Sequence, residues 1–374
     1  MLIKSITLNN FRCFTNKTFD IDGKFVVIKG KNGTGKTSLL EAIHYSCYLR
    51  SFRSHLSKDL VNLEKEHFFV RINFDTQEQG GADTVQVGYT AQEGKLVKLN
   101  QKPIQSYKEL ITNYRIYTLT AEDLLLVSGV PDIRREFLNF SLILQNPAVL
   151  QELKLYKQIL TQRNSLISNN YGNENRVAQE LGIWTEKLWQ QTRVIQKARC
   201  DYLVYLETQV NSLLRTYFNY ASQQNVQLED EFNVSFTYQA KNKSDTQSFE
   251  RFWADYQHKT DLEFKLSRSL FGAHIDDFAI IFQKKRARVF ASRGQQKLIT
   301  FLIKVAQLQQ TLAQNNAGVL LLDDFLTADF DPEKISLCLA ILEQLDCQIF
   351  ITSPINSDNL LKSIDIQKMF LIEL

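Results

Sequence analysis

The chain has 374 residues, 44% of them hydrophobic and 23% charged, with a formal net charge of +3. That length exceeds what one core usually organises, so two lobes are predicted, and the composition is that of an ordinary soluble globular protein. The small net charge excludes a general polycation but not a local basic groove.

In chain order, "LIKSITLNNF" and "FVVIKG" read as strands, β-branched and aromatic, ended by polar residues or glycine. "KTSLLEAIHYSCYL" reads as a helix with Leu39, Leu40, Ile43 and Cys47 on one face. "HFFVRINF", "TVQVGYT" and "KLVKLN" form a small antiparallel set, separated by the turn-like "DTQEQGGAD" and "AQEG". From about Pro131 to about Ser267 helices dominate. Leu181, Trp184, Leu188, Ile195, Leu203, Leu206, Val210 and Leu213 predict one helix over 176–220, roughly 65 Å long, packed on its neighbours. They hold no strict seven-residue repeat, which argues against a free coiled coil. Strand patterns return in "FAIIFQ", "VLLLDDF" and "QIFITSP". The expected fold is α/β: one lobe from residues 1–130 and 268–374, with a helical lobe of residues 131–267 inserted. The N-terminus lacks the apolar core of a signal peptide. The apolar run in "AGVLLLDDFL" is too short to span a bilayer. Cys13, Cys47, Cys200, Cys338 and Cys347 are scattered, with no C-x-x-C pair, and read as free thiols in a reducing compartment. A cytoplasmic protein with no membrane partner is expected.

Gly30-Lys31-Asn32-Gly33-Thr34-Gly35-Lys36-Thr37 fits G-x-x-x-x-G-K-[ST], follows a strand and opens a helix. Glycines let backbone N–H groups turn toward phosphate oxygens, and the helix N-terminus adds its positive end. Lys36 then supplies a charge to the β- and γ-phosphates of ATP and Thr37 a hydroxyl to Mg²⁺, with Ser38 beside it. The other half of such a site is an acidic residue ending a buried parallel strand, and "VLLLDDF" offers Asp323 and Asp324. Asp323 is expected to hold Mg²⁺. Asp324 is either the base for the attacking water or a cap for the next helix. Ser292-Arg293-Gly294-Gln295-Gln296, shortly before the acidic strand, sits where ABC-type ATPases place an S-G-G-Q-like signature. It is either an ordinary capped helix start or a contact, across a dimer, to a second subunit's γ-phosphate.

The chain resembles the RecF family of bacterial DNA replication and repair proteins, relatives of SMC heads. The resemblance spans nearly the whole chain, in "NNFRCF", "GKNGTGKTSLLEAIHY" with "LRSFRS", "LTAEDLLLVSGVPDIRREFLN", "LYKQILTQRNSLI", "LFGAHIDDF", "FASRGQQKLITFLIKVAQ" and "LLLDDFLTADFD". It implies an ABC-type P-loop ATPase head with a mostly helical second lobe and no long coiled-coil arm. It also implies an ATP-dependent homodimer, slow hydrolysis, binding to double-stranded DNA near single-strand gaps, and RecR and RecO mediators as partners. The Arg of the "NFR" block, here Arg12, is implied to approach the nucleotide; alternatively it braces the first strands.

Departures from the family pattern are visible. Ala121-Glu122-Asp123 stands for "PED" and Gly272-Ala273-His274-Ile275-Asp276-Asp277 for "GPHRDD", so a basic contact is lost at Ile275. The loop after the Asp pair is longer, leaving Asp329 or Asp331 as its dimer-facing residue, with Asp331, next to Pro332, favoured. The switch position after the last strand reads Thr352-Ser353, and no clear Q-loop glutamine is present. Arg50, Arg53 and Lys58, and Lys284, Lys285, Arg286 and Arg288, are basic clusters that are either solvated faces or, as the resemblance implies for Arg50, Arg53, Lys284 and Lys285, DNA phosphate contacts. Two alternatives share the head: a nuclease-coupled ATPase of phage-defence type, which requires a further nuclease domain, and a transport ATPase, which predicts a shorter helical insertion and a switch histidine.

Overall fold

The computed structural model describes all residues except 55, 77–80, 105–106, 173, 227–231, 242–247, 315, 327–329 and 355–368, and the side chains of 174–175. The chain divides into two compact units. One comprises Met1–Leu124, Ser212–Glu231 and Ser292–Leu374; the other comprises Leu125–Asn211 and Phe232–Ala291. These bounds differ from the expected ones at 212–231, which group with the α/β material, and at 125–130 and 268–291, which group with the helical material.

The first unit holds two sheets. A five-stranded parallel sheet runs in the order Met369–Glu373, Phe25–Gly30, Gln348–Pro354, Gly318–Leu322, Arg115–Leu119. Its inner strands are apolar on both faces because both are covered: Val26, Val27, Ile28, Val319, Leu320, Leu321 and Leu322 are fully buried. A six-stranded antiparallel sheet runs Phe14–Asp20, Leu2–Phe11, His67–Thr76, Gly81–Thr90, Gly94–Leu99, Lys102–Pro103. It buries alternate residues, among them Ile6, Leu8, Val70, Ile72, Val85 and Val87, and leaves Thr7, Arg71, Gln86 and Lys98 on its solvated side.

The helix Lys36–Tyr48 touches strands of both sheets. Leu39, Leu40, Ile43 and Cys47 are buried, as their shared face predicts, and so is every other residue of the helix except Thr37. A helix between two layers has no solvent side, so its polar residues Glu41, His44 and Ser46 must be bonded internally. They are: His44 Nδ1 lies 2.8 Å from Thr118 Oγ1, and Ser46 donates to the Ala42 carbonyl. Burial, with Arg50 and Lys304 nearby, pushes the His44 imidazole down to about 3, so it is neutral.

The second unit is built from Pro131–Gln145, Val149–Asn169, Phe249–Tyr256, Thr260–Leu266 and the first part of the 50-residue helix Glu174–Gln223, whose last part belongs to the first unit. Its small antiparallel sheet joins Val234–Gln239, Asp277–Phe282 and Lys285–Arg286. Trp189, Phe252, Tyr256 and Phe271 centre its apolar core. The "QRN" block lies inside this unit. Arg163 is fully buried, donates bidentately to the equally buried Glu263 at 2.9 and 2.6 Å, and also reaches Thr185 and Ser269. Asn164 accepts from the N–H and hydroxyl of Ser269. The "GAHIDD" block is anchored likewise. Asp276 accepts from Gln196, Tyr238 and the Lys241 N–H, and Asp277 takes a bidentate bond from Arg134. These blocks carry buried polar networks, which fix how helices far apart in sequence meet. Among the described residues no helix is long and apolar enough to cross a membrane.

Candidate active site

The strand Phe25–Gly30 delivers the chain into the loop at 31–35, and the helix begins at Lys36. Gly33 and Gly35 have φ of +87° and +109°, the left-handed region that favours glycine. Gly35 is required twice over, since a Cβ there would stand 2.6 Å from both Cys13 Sγ and the Phe14 ring. A Cβ on Gly33 would meet nothing within 4 Å, so the outer side of the loop is open. Lys36 is buried, and its Nζ donates to the Gly30 and Lys31 carbonyls at 2.9 and 3.0 Å. Thr34 Oγ1 donates to the Lys31 carbonyl, while Lys31 and Asn32 are exposed and Ser38 is buried. A glycine loop with a lysine folded across it, opening at a helix N-terminus, fits a polyphosphate.

The strand Gly318–Leu322 ends beside this loop, and Thr37 Oγ1 donates to Asp323 Oδ1 at 3.0 Å across 286 residues of sequence. Two oxygens on adjacent vertices of an octahedron with bonds of about 2.1 Å lie about 3 Å apart, so this pair matches one edge of a Mg²⁺ site. No cluster of three or more His, Cys, Asp or Glu suited to a metal exists among the described residues. Mg²⁺ commonly draws its remaining ligands from water and substrate phosphate, so two protein oxygens suffice. Burial pushes the Asp323 carboxyl above its usual range; the Thr352 and Thr37 hydroxyls oppose this, and the neighbouring Asp324 charge adds to it. A divalent cation would reverse that bias. Asp324 has a left-handed backbone, φ 49°, and its N–H donates to Thr352 Oγ1 at 2.7 Å. Thr352 Oγ1 also lies 3.3 Å from Asp324 Oδ1.

Arg12 is held by Glu41 of the loop's own helix through two bonds of 2.8 and 2.7 Å, and donates to the Asp59 carbonyl. Glu41 is fully buried, also accepts from the Ser51 hydroxyl, and has the Arg53 guanidinium 3.9 Å away as a second, longer ion pair. The bond to Glu41 holds the Arg12 guanidinium above its usual range despite partial burial. Sequence reasoning singled out Arg12 but not Glu41, whose carboxylate, the one acidic group in the helix Lys36–Tyr48, was the available signal.

Ser292 caps the helix Arg293–Ala313 in a reciprocal box: its hydroxyl accepts from the Gln295 N–H at 3.2 Å, and Gln295 Oε1 accepts from the Ser292 N–H at 2.8 Å. Ser292 and Arg293 are exposed, and a Cβ on Gly294 would meet nothing within 4 Å. The chain's own packing therefore gives no reason for glycine at 294. Behind them, Lys297 is buried, its Nζ 4.9 and 4.7 Å from the Phe325 and Phe330 rings, and Lys304 pairs with Asp123 of the "AED" block at 2.8 Å. Asp331 stands at the start of Pro332–Glu343 and pairs with Lys334; Asp329 lies outside the described residues. Of the basic candidates, Arg50 and Arg53 are exposed in the first unit. Lys284 and Lys285 are exposed in the second, at a two-residue hairpin turn whose Gln283 and Lys284 have φ of 47° and 65°. Lys285 Nζ lies 4.5 Å from the Phe290 ring centre.

A family model described as the RecF/RecN/SMC N terminal domain matches residues 2–371. A relative called DNA replication and repair protein RecF, from Acholeplasma laidlawii, is 29% identical over 374 residues, covering 100% of this chain and 98% of its own. The solved structure of the recombination mediator protein RecF with ATP, in the RecFOR pathway, superposes with a TM-score of 0.79 at 25% identity, covering 95% of this chain and 92% of the other. An Smc head bound to the C-terminal winged-helix domain of ScpA shares the fold at a TM-score of 0.58 and 13% identity, covering 100% of this chain and 94% of the other.

Proposed function

This chain belongs to the RecF/RecN/SMC N-terminal domain family, and on that premise we propose that it is an ATP-binding DNA replication and repair protein, a recombination mediator with an ABC-type head. The observation that carries the reading is the Thr37–Asp323 bond, which joins the phosphate loop to the acidic strand at 3.0 Å.

Each residue then has a task. The backbone of 30–37 cradles the β- and γ-phosphates, and Lys36, released from the Gly30 and Lys31 carbonyls, turns its charge to them. Thr37 and Asp323 would hold Mg²⁺, which, when bound, neutralises charge on the transferring phosphoryl group. Asp324 orients the attacking water and accepts its proton. Arg12 approaches the nucleotide, its guanidinium held in place by the two bonds to Glu41. Ser292, Arg293, Gly294 and Gln295, with Asp331, face the γ-phosphate bound by a second copy; the open side of Gly294 supports a close approach there. Hydrolysis is slow and resets the dimer. Arg50, Arg53, Lys284 and Lys285 contact phosphates of duplex DNA near single-strand gaps, where RecR- and RecO-type mediators join.

Isothermal titration of ATP–Mg²⁺ into the wild type and Lys36→Ala tests the core of this reading. The variant is expected to lose nucleotide affinity at least about tenfold, because removing one charge-assisted contact to phosphate costs about 1.5–3 kcal/mol. Affinity within threefold of wild type would remove the phosphate loop from the account.

A further inference from the structure

We propose that Thr352 is the positioning residue of this site: its hydroxyl holds the Asp324 carboxylate and backbone in the orientation needed for hydrolysis, and contributes little to nucleotide binding. The inference rests on the ATPase reading above. It arises from one hydroxyl with an unusual set of neighbours. Thr352 Oγ1 accepts the Asp324 N–H at 2.7 Å, lies 3.0 Å from Asp323 Oδ1 and 3.3 Å from Asp324 Oδ1, and is 3.5 Å from the Leu322 carbonyl. A threonine hydroxyl has a single proton. It therefore serves one carboxylate at a time, while its lone pair keeps the Asp324 N–H in both cases.

The sheet explains how this residue reaches both carboxylates. Gln348–Pro354 lies between the phosphate-loop strand and the acidic strand, with Thr352 in register with Ile28 on one side and Ile351 with Leu322 on the other. Thr352 thus stands at the C-terminal edge where the two halves of the site meet. Ser353 has its hydroxyl on its own Pro354 carbonyl at 3.3 Å, so of the two residues at the switch position only Thr352 bonds the carboxylates.

Two features make this contact more than filling. Asp324 adopts φ 49°, a left-handed conformation that a non-glycine residue holds only when its surroundings fix it. The bond from its N–H to Thr352 is such a restraint, and it sets where the carboxylate points. Thr352 is also fully buried, so it acts through the carboxylates and not on the nucleotide. Thr37 Oγ1 shares the same Asp323 Oδ1 at 3.0 Å.

The test compares full-length wild type, Thr352→Val, Thr352→Ser, Thr352→Cys and Asp324→Asn in ATP titration, steady-state hydrolysis and thermal melting. Loss of a hydrogen bond to a charged group predicts that kcat of Thr352→Val falls about 10- to 100-fold with ATP affinity within about threefold of wild type. Thr352→Ser restores kcat to within about threefold, which a purely volumetric role would not predict. If Thr352→Val does not fold, the near-isosteric Ser and Cys variants decide: Ser must exceed Cys in kcat by at least about fivefold. Unchanged kcat in Thr352→Val, a Ser variant as slow as Val or Cys, or a loss confined to KM overturns the proposal. A wild type that neither binds nor hydrolyses ATP overturns the ATPase reading and this inference together. An active wild type with inactive Asp324→Asn and normal Thr352→Val overturns this inference alone.

Discussion

Replacing Glu263 by glutamine removes one charge and almost no volume from the second unit, and it should destabilise that unit severely. Arg163 and Glu263 are both fully buried, so neither has water to fall back on. Glu263 accepts four bonds: two from Arg163, one from Tyr256 Oη at 2.6 Å and one from the Leu270 N–H at 2.7 Å. In Glu263→Gln the amide nitrogen faces a donor whichever way it is turned. The Arg163 charge also loses its counter-ion, and keeps Thr185, Ser269 and the Phe271 ring, 4.9 Å away. Removing one partner of a buried pair costs about 3–5 kcal/mol. At about 2–4 °C per kcal/mol for a unit of this size, the melting temperature should fall roughly 6–20 °C. Screening cannot reach a buried pair, so the deficit should persist from low to high salt. Circular-dichroism melts of the two proteins over a salt series measure it. Adding Arg163→Met should recover part of the loss, though Tyr256 and Leu270 would still face a weakened acceptor. A melting shift under about 2 °C, or one that disappears at high salt, would refute the reasoning.

His44 predicts how stability responds to acid. Its imidazole is held at about 3 when folded and titrates near 6.5 when unfolded, so below pH 6.5 the unfolded chain binds the extra proton and stability falls as pH drops toward 3. The loss from this residue is about 1.4 kcal/mol per pH unit in that window, and denaturant titrations of wild type and His44→Gln at pH 7 and 5 should show a smaller acid loss in the variant. Duplex binding should require ATP and weaken steeply with salt, since each neutralised phosphate releases about one counterion. Removing the charges at Arg50, Arg53, Lys284 and Lys285 should lower affinity for all sequences alike and flatten that slope; an unchanged slope in fluorescence-anisotropy titrations would place the contacts elsewhere.

The phosphate loop and the Asp pair were legible because their chemistry is local: glycine spacing, a lysine, and carboxylates at the end of an apolar strand. The strands "FVVIKG", "VLLLDDF" and "QIFITSP" were legible for the same reason, since a buried parallel strand announces itself by continuous aliphatic residues. Phe14–Asp20 was not, because "FTNKTFD" is an exposed edge strand with only its two phenylalanines buried. Arg115–Leu119 hid behind a leading arginine, although all five of its residues are buried. The apolar face of Lys36–Tyr48 was legible, but the burial of its polar residues was not: Glu41 and His44 are buried because a second sheet covers them. "QRN" was legible as a resemblance, but its meaning was not, since Arg163 finds Glu263 a hundred residues away. Thr352 likewise marked only a position; its bonds to Asp323 and Asp324 exist once strands distant in sequence lie side by side.

The central claim is that Asp324 supports hydrolysis and Ser292 meets ATP across a dimer, and light scattering of Asp324→Asn with ATP–Mg²⁺, alone and combined with Ser292→Arg, tests it most directly. The amide keeps the shape of the aspartate but cannot accept the proton, so Asp324→Asn should accumulate as an ATP-bound dimer with turnover at least about a hundredfold below wild type. Adding Ser292→Arg places a bulky cation at the start of Arg293–Ala313 and should return the protein to a monomer that still binds ATP. Undiminished turnover in Asp324→Asn, or a dimer that survives Ser292→Arg, would contradict the account.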